Sequence, residues 1–238
     1  MVAEFSIVKF VLRSLHQRLL DAFSQKAMDV SIPAWYNEPT KPIRSNLTFV
    51  YIHGFNSGFV PESDKIVTLS KLGRVVGVNY DSFATYEEII RSLMWQLYRF
   101  GHEDDLVFVG TSLGAFYAAE LGRRLDRPSI IINPCTQPYT MLGFALHIPM
   151  ENFVTGEINS FTMESKSSYH RRDISPQNDY LYKPLLLVDA DDELIDSTKT
   201  FRDLSDFPKV AFSGGCHRFS HMEESLEPIQ RYLSFHNA

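Results

Sequence analysis

An α/β fold, with a mostly parallel sheet carrying helices on both faces, is what this sequence predicts. Three observations predict it. Short apolar, β-branched runs alternate with longer stretches whose apolar residues recur every three or four positions. The 238 residues are 44% hydrophobic and 22% charged, the balance of a globular chain long enough for one large domain. Leu47 to Ile52 has the character of a strand buried on both faces, and it runs straight into a His-Gly pair.

The elements follow in order. Residues 4 to 27 place Phe5, Val8, Leu12, Leu15, Leu19 and Phe23 on one helical stripe, and Pro33, Pro39 and Pro42 mark a stiff connector. This gives an N-terminal extension over 1–45 and a main domain over 46–238. Leu47 to Ile52 is the first strand. Pro61 to Leu72 is a helix with proline near its start, and Arg74 to Val78 is the second strand. Thr85 to Phe100 is a helix with Ile89, Leu93, Leu97 and Phe100 on one face. Leu106 to Val109 is the third strand, Leu113 to Leu125 a helix and Ser129 to Ile132 the fourth strand. Leu185 to Val188 and Val210 to Phe212 are the fifth and sixth strands, and Glu223 to Leu233 is a closing helix. Residues 135–183 break the rhythm with scattered aromatics and no clear strand. An irregular insertion of that length is usually functional, so it reads as a cap or lid. Within it, Arg171, Arg172 and Asp173 read as a solvated turn.

Charge and cysteine content narrow the function classes. Lys plus Arg is 23 and Asp plus Glu is 29, a net charge of −6 with no basic block, so a nucleic-acid partner is not expected. Two cysteines make no disulfide framework and suit a reducing compartment, here the cytoplasm. No apolar run approaches the roughly 20 residues of a membrane span. Glu4, Lys9 and Arg13 interrupt any signal-peptide core. A monomer or small homo-oligomer is expected.

The sharpest chemical signal is Gly110-Thr111-Ser112-Leu113-Gly114, a G-x-S-x-G word lying directly between a strand and a helix. A sharp turn there lifts the serine hydroxyl from the sheet edge, and the flanking glycines allow close backbone approach. The plain alternative is a tight strand–helix turn with a serine N-cap. A nucleophilic serine needs a base and an acid to orient it, in the chain order serine, acid, histidine. Asp189, Asp191, Asp192 and Glu193 all follow the fifth strand, and composition does not choose among them. His217, after a strand and Gly214-Gly215, is the candidate base, with His221 as its rival. The two histidines have helical metal spacing, but Arg218 stands where H-E-x-x-H needs glutamate, so neither zinc nor another metal is expected. Backbone amides of Phe55, after the first strand, and of Leu113 are the candidate oxyanion donors. His53 reads as a residue that pins that loop.

These words resemble the α/β-hydrolase superfamily, and within it the small bacterial YqiA-like esterase family. The matching stretches are Tyr51 to Ser57, Gly110 to Ala118, Asn133 to Cys135, Pro138-Tyr139, Thr155 to Glu157, Asp192 to Asp196 and Gly214 to His217, together spanning roughly 47 to 235. Ala115, Cys135 and Cys216 depart from the usual residues without removing a site member. The resemblance implies Asp192 as the acid, giving Ser112, Asp192 and His217 as a triad. It implies hydrolysis of a small carboxylic ester or acyl thioester with no cofactor. An acyltransferase, or a non-catalytic binding protein on the same fold, are the alternatives.

Overall fold

The computed structural model describes residues 43, 44, 46–100 and 105–236. The amphipathic stripe at 4–27 and the proline connector lie outside the described residues. Six strands form the main sheet: β1 (Thr48–Ile52), β2 (Arg74–Val78), β3 (Leu106–Ser112), β4 (Ser129–Pro134), β7 (Leu185–Asp189) and β8 (Lys209–Phe212). Their order is β2-β1-β3-β4-β7-β8, and each adjacent pair is parallel. The six strands coincide with the six apolar runs of the sequence.

Both faces of the sheet are covered, because strand side chains alternate between them. Leu47, Phe49 and Tyr51 point to the side that carries Ile66 and Leu69 of α1 (Asp64–Leu69) and Ile229, Tyr232 and Leu233 of α7 (Leu226–Phe235). Val50 and Ile52 point to the other side. There they meet Ile89, Leu93 and Leu97 of α2 (Tyr86–Tyr98) and Leu113, Phe116 and Tyr117 of α3 (Leu113–Leu125). A capping box starts α2: Thr85 accepts from the Glu88 amide, and Glu88 accepts from the Thr85 amide. Such a cap contributes about 0.5–2 kcal/mol.

The insertion contains elements that the sequence did not suggest. After β4 come α4 (Pro138–Met141), a single 3₁₀ turn (Leu142–Ala145) and the antiparallel pair β5 (Pro149–Glu151) and β6 (Ile158–Ser160). Then follows α5 (Met163–Ser168), and α6 (Ser197–Asp203) lies after β7. The hairpin escaped notice because its residues are exposed or half-buried and show no apolar alternation. The insertion is anchored by Phe161 and Tyr169, both fully buried, with the Tyr169 hydroxyl 2.5 Å from that of Tyr117 on α3. Arg171 and Asp173 are exposed, as expected of a solvated turn, and Arg172 is half-buried. They border a cavity of about 230 Å³ against Tyr86, Phe116 and Glu120, and Arg172 lies 3.9 Å from the centre of the Tyr86 ring.

The strand order sets the location of the site. β1 lies between β2 and β3, so the chain first adds a strand on one side of β1 and then crosses to the other. A crevice opens at the carboxyl ends of strands at such a switch point. Ile52 pairs with Gly110, so the segments leaving β1 and β3 emerge side by side.

Candidate active site

Ser112 ends β3 and immediately precedes α3. Its backbone lies at φ 57° and ψ −122°, a conformation that L residues rarely adopt and that costs about 1–3 kcal/mol. The two flanking glycines explain how the chain tolerates it. A Cβ on Gly110 would sit 2.1 Å from the Gly114 carbonyl oxygen, and one on Gly114 would sit 2.0 Å from the carbonyl oxygen of Ile52. The turn is therefore drawn tightly against β1. The pairing of β3 with β4 shifts register between Thr111 and Ser112, and the Ser112 carbonyl accepts the Cys135 amide at 3.0 Å. Although Ser112 occupies the N-cap position of α3, its side chain makes no capping hydrogen bond. The plain N-cap explanation for this serine thus fails.

The loop after β1 passes directly beside the serine. A Cβ on Gly54 would lie 3.4 Å from Ser112 Cβ and 3.3 Å from the Thr111 carbonyl oxygen. Next comes Phe55, whose amide donates to no protein acceptor among the described residues. Leu113, the other candidate donor, is the first residue of α3, where backbone N–H groups and the helix dipole favour negative charge. His53 pins this loop. Its Nδ1–H donates to the Gly54 carbonyl at 2.9 Å, its Nε2 accepts from the Tyr80 amide at 3.4 Å, and its ring stacks on Tyr80 at 4.3 Å. Burial pushes its pKa below the usual histidine value, so it stays neutral. The hairpin of the insertion fastens to the same loop. Asn56 Nδ2 donates to the Glu151 carbonyl, the Phe153 amide donates to the Asn56 carbonyl, and Asn152 Nδ2 donates to the Ser57 carbonyl.

The four acidic residues from the end of β7 onward, Asp189 to Glu193, separate by contact. Asp192 lies with both carboxylate oxygens 2.9–3.0 Å from His217 Nδ1, and Oδ1 also accepts the amides of Leu194 and Ile195. Its side chain is fully buried, whereas that of His217 is 16% exposed. Glu193 accepts the His217 backbone amide at 2.9 Å. Asp191 donates its amide to the Gly214 carbonyl. Asp189 pairs with the rival histidine, its Oδ1 lying 2.7 Å from His221 Nδ1. The His221 ring stacks on Phe212, so it is built into the loop. In His217 the contact at Nδ1 leaves Nε2 as the nitrogen able to exchange a proton with a neighbour. Cys135, behind the serine, is no rival nucleophile: burial pushes its thiol up to about 12.

Sequence reasoning missed Asn133. Its backbone is left-handed at φ 41°, its Nδ2 donates to the carbonyls of Cys216 and His217, and its Oδ1 accepts the Asp189 amide. The available signal was an Asn-Pro pair closing a strand, since asparagine tolerates the left-handed region. Among the described residues, no group of three His, Cys, Asp or Glu side chains is placed to hold a metal ion.

With that geometry in view, comparison with known proteins places the chain. The model of the family described as "Uncharacterised protein family (UPF0227)" matches residues 48–234. The chain belongs to UPF0227. The YqiA-like resemblance of its motifs therefore holds. A UPF0227 protein of Vibrio vulnificus is 20% identical over 190 residues, covering 77% of this chain and 97% of that protein. A UPF0227 protein of Pectobacterium atrosepticum is likewise 20% identical, over 77% of this chain and 97% of its own. Among solved structures, Est1E from Butyrivibrio proteoclasticus superposes with a TM-score of 0.61 at 15% identity, over 84% of this chain and 90% of that one. The Paleococcus ferrophilus monoacylglycerol lipase gives 0.56 at 15% identity, over 79% and 94%. A Xanthomonas campestris protein described as an α/β serine hydrolase without lid gives 0.52 at 14% identity, over 84% and 85%. At these identities the likeness is one of fold, and this UPF0227 chain has the α/β-hydrolase fold. No helix among the described residues is long and apolar enough to cross a membrane.

Proposed function

We propose that this protein is a serine hydrolase that cleaves small carboxylic esters or acyl thioesters through an acyl-enzyme. Ser112 Oγ bonds to the acyl carbon while His217 Nε2 takes its proton. The charged oxygen of the tetrahedral intermediate sits against the amides of Phe55 and Leu113. As that intermediate collapses, the bond to the leaving group breaks and His217 returns the proton to the departing alcohol or thiol. Water then repeats the sequence on the acyl-serine, regenerating the hydroxyl. Asp192 holds the imidazole with Nε2 outward and stabilises its charged form. No step calls for a metal or organic cofactor.

The observation that carries this reading is the backbone of Ser112. A strained conformation persists only where its surroundings over-determine it. Here two glycines and β1 hold the strain at the strand switch point, with a serine hydroxyl unused as a cap. The pairing of His217 with Asp192 supports it further. Both cysteines are free, which accords with a reducing, cytoplasmic setting. The test is a panel of p-nitrophenyl esters and acyl-CoA thioesters of graded length, with fluorophosphonate labelling. The wild-type chain is expected to turn over part of the panel and to label, and Ser112→Ala to do neither. Persistence of turnover or labelling in Ser112→Ala would remove the site.

A further inference from the structure

The loop that carries His217 is held by two side chains outside the triad. Asp189 ends β7 fully buried, and its carboxylate takes three donors from that loop: the Cys216 amide at 3.0 Å, the Ser220 amide at 2.7 Å and His221 Nδ1 at 2.7 Å. Asn133, near the end of β4, takes the loop's carbonyls at Cys216 (3.0 Å) and His217 (3.2 Å). The two holders are themselves joined, the Asp189 amide donating to Asn133 Oδ1 at 2.9 Å. The fit is close: a Cβ on Gly215 would lie 2.0 Å from Asp189 Oδ2, and Gly215 has φ +84°. The amides of Cys216 and Ser220, on either side of the histidine, and the carbonyls of Cys216 and His217 are thus fixed from two adjacent strands.

The same few residues also hold the serine. Cys135, two positions after Asn133, donates its amide to the Ser112 carbonyl. Nucleophile and base are therefore both referenced to one short segment at the end of β4. We infer that Asp189 and Asn133 are positioning residues for His217, a clamp that fixes the imidazole relative to Ser112, a role distinct from that of Asp192, which orients the ring. The inference rests on the serine-hydrolase reading. Asp189 and His221 resemble a second acid–histidine pair, but every donor to that carboxylate comes from the loop it anchors. A base displaced by about 1 Å typically loses on the order of 10²-fold in rate.

The test measures kcat per fluorophosphonate-titrated active site, together with KM, so that loss of folded protein does not register. Asp189→Ala is expected to lower kcat per site about 100-fold with KM within threefold of wild type. Asp189→Asn is expected to recover at least tenfold of that loss. One amide oxygen can serve both backbone N–H groups while its NH₂ faces the His221 lone pair. Asn133→Asp keeps size and left-handed tolerance but loses the donor. It is expected to lower kcat per site about tenfold or more, and it decides the matter if Asp189→Ala does not fold. A kcat per site within twofold of wild type in Asp189→Ala or Asn133→Asp overturns the clamp. His217→Ala is run beside them. Its inactivity, with the clamp variants at wild-type rate, refutes the clamp alone, whereas full turnover by His217→Ala refutes the hydrolase reading itself.

Discussion

Gly114→Ala should cripple turnover while leaving a folded protein. The added Cβ would lie 2.0 Å from the Ile52 carbonyl oxygen and 2.5 Å from that of His53, both backbone atoms that cannot rotate away. Reaching even a 3.0 Å contact from 2.0 Å requires the start of α3 and the end of β1 to part by about 1 Å. Overpacking of this kind costs about 1–3 kcal/mol, and alanine's better helix propensity returns up to about 1 kcal/mol. With the full return the net cost is about 0–2 kcal/mol, and for a domain of this size the expected fall in Tm is up to roughly 8 °C. The Leu113 amide moves with α3 and the Phe55 amide with the loop after β1. The gap between the proposed oxyanion donors therefore opens by a similar distance, and a displacement of about 1 Å costs on the order of 10²-fold in kcat/KM. Thermal melts and ester hydrolysis, normalised to folded protein, measure both quantities. Gly143→Ala is the control, because the nearest atom to its added Cβ is Lys166 Nζ at 3.7 Å. If Gly114→Ala keeps wild-type Tm and turnover, the close approach of β1 to α3 is not what shapes the site.

Three further outcomes are expected. Asp192→Asn preserves shape but no longer favours the tautomer with Nε2 free, so kcat should drop about 10⁴-fold at unchanged fold. A drop of less than tenfold would assign the orienting role elsewhere. Tyr117→Phe strands the buried Tyr169 hydroxyl and should cost about 1–3 kcal/mol in urea unfolding. Tyr117→Phe with Tyr169→Phe should cost less than the sum of the two single changes, and simple additivity would deny the pair any coupling. His53 has a folded-state pKa held below 6.5 by burial, so on acidification the unfolded chain takes up its proton first. Its contribution is complete above about pH 6.5 and is lost as pH falls through the lower, folded-state value. His53→Asn should therefore show a shallower loss of stability below neutrality, and identical pH slopes would contradict the assignment.

The sheet was legible because its strands are buried on both faces and so are written as unbroken apolar runs. The turn at Ser112 was legible because the glycines that permit it sit at fixed offsets in the chain. The hairpin of the insertion was not, since four of the six residues in Pro149–Glu151 and Ile158–Ser160 are exposed and no apolar alternation marks either strand. Nor could composition separate Asp189 from Asp192, two carboxylates three residues apart on one acidic turn. Only contact across the sheet edge does so, sending one to His221 and the other to His217. The bonds from Asn133 to the loop of His217 escaped for the same reason: their acceptors lie more than 80 residues downstream.

The fastening of the hairpin to residues 56 and 57 also constrains how this molecule can admit a ligand. Three hydrogen bonds tie the hairpin to the very segment that bears the Phe55 amide, and Ser82 grips the Asn56 amide from the opposite side. A flap hinged in this way cannot lift independently. Raising it either severs those bonds or drags the Phe55 amide with it. For the hydrolase proposed above, a ligand that enters with the hairpin seated leaves the Phe55 amide where the loop holds it.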